Sequence, residues 1–343
     1  MKVISTFLCT LLVLSCDSHN VIHFEFNPKT LVENPITLSD IADEIIYIPL
    51  DNQYPITDVH NPKITHNAIY LFTPNGIIAF GRDGKTSGKI GSQGRGPDEY
   101  LSGFNFTVDP KSETIYVLNR DKQIKVFSRY GKYIRSISLE DNVGSPDLID
   151  LNDSNIFLSY FLQFDNAVYD WVILDTLGNI IKKKARSIPM FTSNFGTNSV
   201  TYIFDKGIHY WNPYLDTVFS ILPDLSYKSS FTFAPGEHRI PKSNFNPSKP
   251  PNMIMYVRMI FETSRFWVIR YDYIRPIIVL IDKKSNKSFL SYVDQGNSTG
   301  TDNSGGILND LDGGVNFQPR CYFEENGKEY LIGLVNAYQI KAH

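Results

Sequence analysis

A single turn, recurring at a fixed step, most constrains this chain. Phe127-Ser-Arg-Tyr-Gly131-Lys sits between two short runs in which β-branched and aromatic residues alternate with polar ones, Gln123 to Phe127 and Lys132 to Ile137. A third run, Ile115 to Leu118, precedes them. Alternation of period two bounded by turn residues predicts strands, and a glycine at the reversal supplies the left-handed backbone of a tight hairpin. The same pattern occurs as Phe80-Gly-Arg-Asp-Gly84-Lys, Leu174-Asp-Thr-Leu-Gly178-Asn and Ile221-Leu-Pro-Asp-Leu225-Ser, so that Gly84, Gly131, Gly178 and Leu225 lie 47 residues apart, each from the next. A fifth copy, Ile281-Asp-Lys-Lys-Ser-Asn286-Lys, follows after 61 residues, with the added length near the proline-rich run Pro235 to Pro251.

A four-stranded unit repeating at roughly 40 to 50 residues is the signature of a β-propeller. The expected fold is therefore all-β: a six-bladed β-propeller with four-stranded antiparallel blades. Five full blades are joined by a last unit with candidate strands Val315 to Phe323 and Glu329 to Asn336, which Ile45 to Leu50 completes as an N-terminal closing strand. Closing in this way removes the unpaired edges of an open seam. Ser39 reads as the cap of one helical turn ahead of that strand. Equal steps leave no room for a linker, so the ring forms one domain, residues 39–343.

The remaining N-terminal residues divide in two. Lys2 and the apolar run Val3 to Leu14 form a secretory signal too short to span a bilayer. Val13-Leu14-Ser15-Cys16 resembles a lipobox, in which the thiol of Cys16 is acylated and becomes the new N-terminus. Residues 1–16 are thus expected to be removed or modified as a lipoprotein signal, and 17–38 to act as a tether. The chain is expected at the cell envelope, lipid-anchored to the outer membrane on its periplasmic or surface face, with the membrane touched only through the anchor.

Composition excludes some partners. A net charge of −3 with Lys and Arg dispersed gives no surface for nucleic acid. Of three cysteines, Cys9 and Cys16 belong to the signal, leaving Cys321 with no partner for a disulfide. There is no G-x-S-x-G, H-E-x-x-H, C-x-x-C or P-loop. No catalytic residue, metal site or cofactor is assigned. Asp310-Leu-Asp312-Gly313 starts like a calcium loop but lacks its later ligands, so calcium competes there with ordinary Asx-turn chemistry. His60 and His66, the nearest histidine pair, are expected on the surface.

The loop Gly91-Ser-Gln-Gly94-Arg95-Gly96-Pro97-Asp98-Glu99-Tyr100 is the most distinctive local motif. With the hairpins it resembles NHL-type propeller repeats, and more closely the six-bladed propeller lipoproteins of Bacteroidota, where G-x-x-G-R-G-P-x-E-Y recurs. Leu38-Ser-Asp-Ile-Ala-Asp-Glu-Ile45, Asp216-Thr-Val-Phe-Ser-Ile221 and Asn309-Asp-Leu-Asp-Gly-Gly314 match the same family. Two departures are Gln318, where an aromatic is usual, and an end at His343 where the family continues with a helix and a strand. The resemblance implies a propeller fold and export, and no particular reaction.

In a propeller, the connections between blades and the turns between second and third strands emerge on one face around the central channel. That face is expected to carry Arg95, Asp98, Glu99 and Tyr100; Arg120, Asp121 and Lys122; Phe191, Asn194 and Phe195; and Trp211, Asn212 and Tyr214. Aromatic faces beside carboxylates, amides and arginines suit a glycan or a peptide. The expected ligand-binding set is Arg95, Asp98, Glu99, Tyr100, Arg120, Asp121, Trp211 and Tyr214, with the rings of Tyr100, Trp211 and Tyr214 facing a solvent-filled funnel. The expected function is a non-enzymatic binding or assembly module for a glycan, a peptide or a cell-envelope protein. The alternative is a metal-assisted lyase or hydrolase with its site in the channel; inner strands that are mainly apolar except for Asp147 and Asp150 favour binding.

Overall fold

In the computed structural model of the chain, the described residues are 22–25, 31, 33–54, 56, 59–140, 144–164, 166–246, 248, 254–293, 305–336 and 339–340. Strand β1 is Ile22–Glu25. Blade one contains β2 (His60–Ile64), β3 (Ala68–Thr73), β4 (Gly76–Gly81) and β5 (Thr86–Ile90). Blade two contains β6 (Phe106–Val108), β7 (Ile115–Asn119), β8 (Gln123–Phe127) and β9 (Tyr133–Ser138). Blade three contains β10 (Pro146–Asn152), β11 (Asn155–Tyr160), β12 (Tyr169–Leu174) and β13 (Ile180–Ala185). Blade four contains β14 (Val200–Phe204), β15 (Gly207–Trp211), β16 (Thr217–Ile221) and β17 (Tyr227–Ala234). Blade five contains β18 (Tyr256–Glu262), β19 (Phe266–Asp272), β20 (Pro276–Asp282) and β21 (Ser288–Tyr292). A hairpin of β22 (Pro319–Glu325) and β23 (Lys328–Gly333) follows.

Each blade is an antiparallel meander in chain order. First strands line the centre: β2 lies against β6 and β22, β6 against β10, and β18 against β14 and β22. Middle strands are buried on both faces, as in β7, β15 and β20, because neighbouring blades sandwich them. They accordingly read as nearly continuous apolar runs. The outermost β13 instead alternates half-buried and exposed residues, since one of its faces meets water.

The repeating turn joins the third and fourth strands. Gly84, Gly131, Gly178, Leu225 and Asn286 have φ of 82°, 79°, 98°, 66° and 56°, so all five occupy the left-handed region that the spacing requires. Gly131 N–H closes its turn on Ser128 O at 2.8 Å, as Gly84 does on Gly81 at 3.0 Å and Gly178 on Asp175 at 3.1 Å. The turn is also clamped to the preceding blade. Gly91 N–H donates to Gly131 O at 3.2 Å, and a Cβ on Gly131 would lie 2.2 Å from Lys89 O.

The ring departs from expectation in its last unit. Among the described residues five four-stranded blades form, not six, and the last sheet contains only β22 and β23. Ile45 to Leu50 is not a strand. Its β-branched pattern satisfies propensity, but a strand also needs a hydrogen-bonded neighbour, and none is beside it among the described residues. The N-terminal strand that does form, β1, pairs parallel with β17, from Ile22 opposite Phe231 to Glu25 opposite Ala234. It therefore extends the rim of blade four and does not close the ring.

The packed part of the chain begins ahead of residue 39. Asn34 bridges to Leu290, Thr37 to Leu308, and Ile36 and Leu38 are buried. Thr37, not Ser39, caps the short 3-10 turn Leu38–Asp40, with Asp40 accepting from both the amide and hydroxyl of Thr37 at 3.1 Å.

Gly131→Val should lower stability by about 2–4 kcal/mol, because a β-branched residue is strained at positive φ and here also meets backbone. Thermal or urea unfolding should show one transition moved down. Gly196→Ala, with nothing within 4 Å of the new Cβ, should leave the midpoint in place. Two separate transitions in the Gly131 variant would contradict a ring that unfolds as a unit.

Candidate functional site

Strands alternate in direction, so the starts of the first strands, the turns between second and third strands and the blade connections share one end of the ring. A cavity of about 500 Å³ opens there. Its lining comes from four blades: Phe104 ahead of β6, Phe161, Gln163 and Phe164 after β11, the stretch Ser193 to Val200 leading into β14, and Tyr256 to Arg258 at the start of β18.

Phe104 and Phe164 are each 40% exposed. Phe104 is held from blade one, where the Asn61 side chain donates to the carbonyls of Phe104 and Phe106 at 3.1 and 3.2 Å and the His60 ring lies 5.5 Å away. Phe161 packs 5.5 Å from Phe164. Beneath them Ser193 N–H donates to Gln163 O at 3.0 Å, and Gln163 Nε2 reaches Thr197 O at 3.4 Å. The connection after blade four braces the far wall: Ser193 Oγ donates to Ser243 O at 3.0 Å, Asn194 Oδ1 accepts from Phe245 N–H at 2.7 Å, and the Phe195 and Phe245 rings meet edge-on at 5.9 Å. Arg258 Nε is paired with Asp272 at 2.7 Å, and its guanidinium lies 5.6 Å from the centre of the Tyr256 ring. Flat apolar faces thus stand beside amides and one guanidinium.

The sequence-derived set distributes differently. Asn194 and Phe195 line the cavity, whereas Arg95, Asp98, Glu99, Tyr100, Arg120, Asp121, Trp211 and Tyr214 do not. Arg95, Asp98, Arg120 and Asp121 are exposed on the same end of the ring. Glu99 turns inward to accept from Gly96 N–H at 2.7 Å and Ser92 Oγ at 3.3 Å. Gly94 lies against it, and a Cβ there would fall 2.0 Å from the Glu99 carboxylate and push that side chain aside.

Tyr100, Trp211 and Tyr214 are buried, which overturns the expectation that their rings face solvent. Tyr100 OH accepts from Ile77 N–H and donates to Ile90 O, both at 3.0 Å, and burial pushes its hydroxyl up to about 12. Trp211 meets Phe233 at 5.6 Å and Tyr214 meets Phe191 at 4.7 Å. Wedge-shaped gaps between blades take large rings, and these three fill them. Phe104, Phe161, Phe164, Tyr256 and Arg258 were missed, although Phe161 to Phe164 sits at a turn after a strand, where an aromatic has no strand face to pack on.

The acids of the channel are engaged by protein donors. Asp150 accepts from Lys63 Nζ at 3.2 Å, Thr107 Oγ1 at 2.8 Å and Thr201 Oγ1 at 2.9 Å. Asp147 bonds Ser159 Oγ and accepts from Ser199 N–H at 2.9 Å, and burial raises its pKa. Glu262 accepts from Tyr202 OH at 2.6 Å and pairs with Lys283 at 2.6 Å; His209 stacks on Tyr202, with its pKa lowered by burial.

Asp310 accepts from Ser39 N–H and Oγ at 2.9 and 2.6 Å, which pulls its carboxyl down to about 2. Asp312 accepts from Asn309 Nδ2 at 2.6 Å and Gly314 N–H at 2.9 Å. His66 pairs with Glu325 at 2.5 Å, away from His60. Among the described residues no three His, Cys, Asp or Glu side chains are grouped to hold a metal ion, and Cys321 is a free thiol.

Comparison with known proteins places this architecture. A solved structure from Bacteroides fragilis, described as an exported protein, is similar with a TM-score of 0.56 and 17% identity over 78% of each chain. A member of the DUF4221 family from Bacteroides vulgatus is similar at a TM-score of 0.45 and 13% identity, over 71% of this chain and 83% of that one. The first likeness supports the propeller fold. No curated protein matches. A family model described as a domain of unknown function, DUF4934, matches residues 21–343, and the chain belongs to that family.

Proposed function

We propose that this chain is an exported, non-enzymatic binding module that takes a glycan or a peptide into the cleft at the mouth of the ring. The observation that carries this reading is the cavity itself, where half-exposed Phe104 and Phe164 stand beside Asn194, Gln163 and Arg258. Rings bury the C–H faces of a sugar or apolar side chains, while amides and a guanidinium orient hydroxyls or carbonyls. The channel acids are consumed in hydrogen bonds between blades, which supports binding over acid–base chemistry.

The relative described as exported supports a location beyond the inner membrane. No helix among the described residues is long and apolar enough to cross a membrane. Acylation of Cys16, which lies outside the described residues together with the rest of the signal 1–16, holds the ring on the outer membrane in this reading. A cell-envelope protein is then within reach as a further partner.

Glycan and peptide arrays probed with the purified protein should identify a ligand whose affinity falls about tenfold in Phe164→Ala and again in Phe104→Ala, the scale of losing one anchoring ring. Arg95→Ala, outside the cavity, should bind as wild type. A ligand held equally by the double Phe variant would place binding elsewhere. Separately, Cys16→Ala should move the protein from the membrane to the soluble fraction; a variant that still sediments with membranes would contradict the anchor.

A further inference from the structure

One wall of the cleft is a length of backbone bonded along one edge only. From Thr192 to Ser199 exposure alternates residue by residue: Ser193, Phe195 and Ser199 are buried and Thr197 is half-buried, whereas Thr192, Asn194, Gly196 and Asn198 are exposed. Burial of period two marks an extended chain, in which successive residues also turn their N–H and C=O groups to opposite edges. The odd-numbered edge is engaged by the protein. Ser193 N–H donates to Gln163 O at 3.0 Å, Phe195 N–H to Ser193 Oγ at 3.4 Å and Ser199 N–H to Asp147 Oδ2 at 2.9 Å, while Thr197 O accepts from Gln163 Nε2 at 3.4 Å. On the even-numbered edge, the backbone N–H and C=O of Asn194, Gly196 and Asn198 have no hydrogen-bond partner among the described residues. All three residues line the cleft, and nothing lies within 4 Å of where a Gly196 Cβ would stand, so the middle of this edge is open.

We propose that the cleft takes a polypeptide in extended form, paired along Asn194 to Asn198 as an added strand. The proposal rests on the reading of the cleft as a binding site and chooses a peptide over a glycan. Unpaired donors and acceptors recur along this edge every second residue, about 7 Å apart. An extended peptide presents its own at the same interval along one edge, whereas sugar hydroxyls carry no such repeat. Side chains of an added strand alternate between its two faces, and Phe104, Phe161 and Phe164 give apolar residues at every second position a ring surface to cover. Arg258 is the one charged residue among the described residues that line the cleft, so an acidic side chain is favoured there and a lysine-rich peptide is not.

The probe is a bead library of random heptapeptides with blocked ends, from which the tightest binder to the intact protein is resynthesised with one backbone amide N-methylated at a time. N-methylation removes a donor and crowds that edge while leaving every side chain in place. Methyl groups on alternate amides should each weaken binding about tenfold or more, and those between them should change it less than about twofold, because only one edge of the peptide meets the protein. Hydrogen exchange of the Asn194, Gly196 and Asn198 amides should slow in the complex. Sensitivity at consecutive amides, or at none, would overturn the added strand, and the cleft reading would survive if the same peptide still needs Phe164. Alternate sensitivity with full binding by Phe164→Ala would put the strand on another edge and overturn both. A library that yields no binder would overturn the peptide, and a glycan that loses affinity in Phe164→Ala would then keep the cleft.

Discussion

One carboxylate at the centre of the ring ties the blades that bear the cleft. Asp150 belongs to blade three, and its three side-chain partners come from blades one, two and four: Lys63, Thr107 and Thr201. A charge this deeply buried is costly unless it is fully bonded, and hydrogen bonds to a charged group contribute about 1.5–3 kcal/mol each. Apolar packing of the middle strands holds neighbouring blades together without fixing how they are rotated. The bonds to Asp150 select one rotation, and thereby set where the blade-two, blade-three and blade-four walls of the cleft stand.

The opposite end of the ring repeats the device around its circumference. Glu113 of blade two joins blade one through Thr65, at 2.8 Å, and pairs within its own blade with Arg129. Glu262 joins blades four and five through Tyr202. Glu325 and Glu329 fasten the β22–β23 hairpin to His66 of blade one and Ser264 of blade five. The hairpin, whose sheet has two strands among the described residues, is thus held on both sides. That arrangement seats β22 in the inner wall between β2 and β18.

The spacing of 47 residues was readable because a left-handed turn restricts which residues can occupy it, so Gly84, Gly131 and Gly178 mark the blades directly. Local alternation likewise located β7, β8 and β9 within a residue or two. Burial was not readable for the aromatic residues. Tyr100 and Phe164 look alike in sequence, one at the end of a loop and the other at a turn, yet only contacts from other strands and blades decide that Tyr100 is enclosed and Phe164 is not. Asp150 stood out as a polar residue on an inner strand, but its partners lie 43 to 87 residues away, which sequence cannot supply. The strand misread at Ile45 to Leu50 failed for the same reason: its composition is that of a strand, and no paired strand lies beside it among the described residues.

The central claim, that a buried carboxylate joins four blades into one cooperative body, is tested most directly by calorimetric unfolding of Asp150→Ala beside the wild type. Its loss leaves Lys63 and two threonine hydroxyls without their shared partner, so the account predicts a single transition lowered by about 3 kcal/mol or more. A midpoint equal to wild type would contradict it, as would a wild-type protein that already melts in two steps.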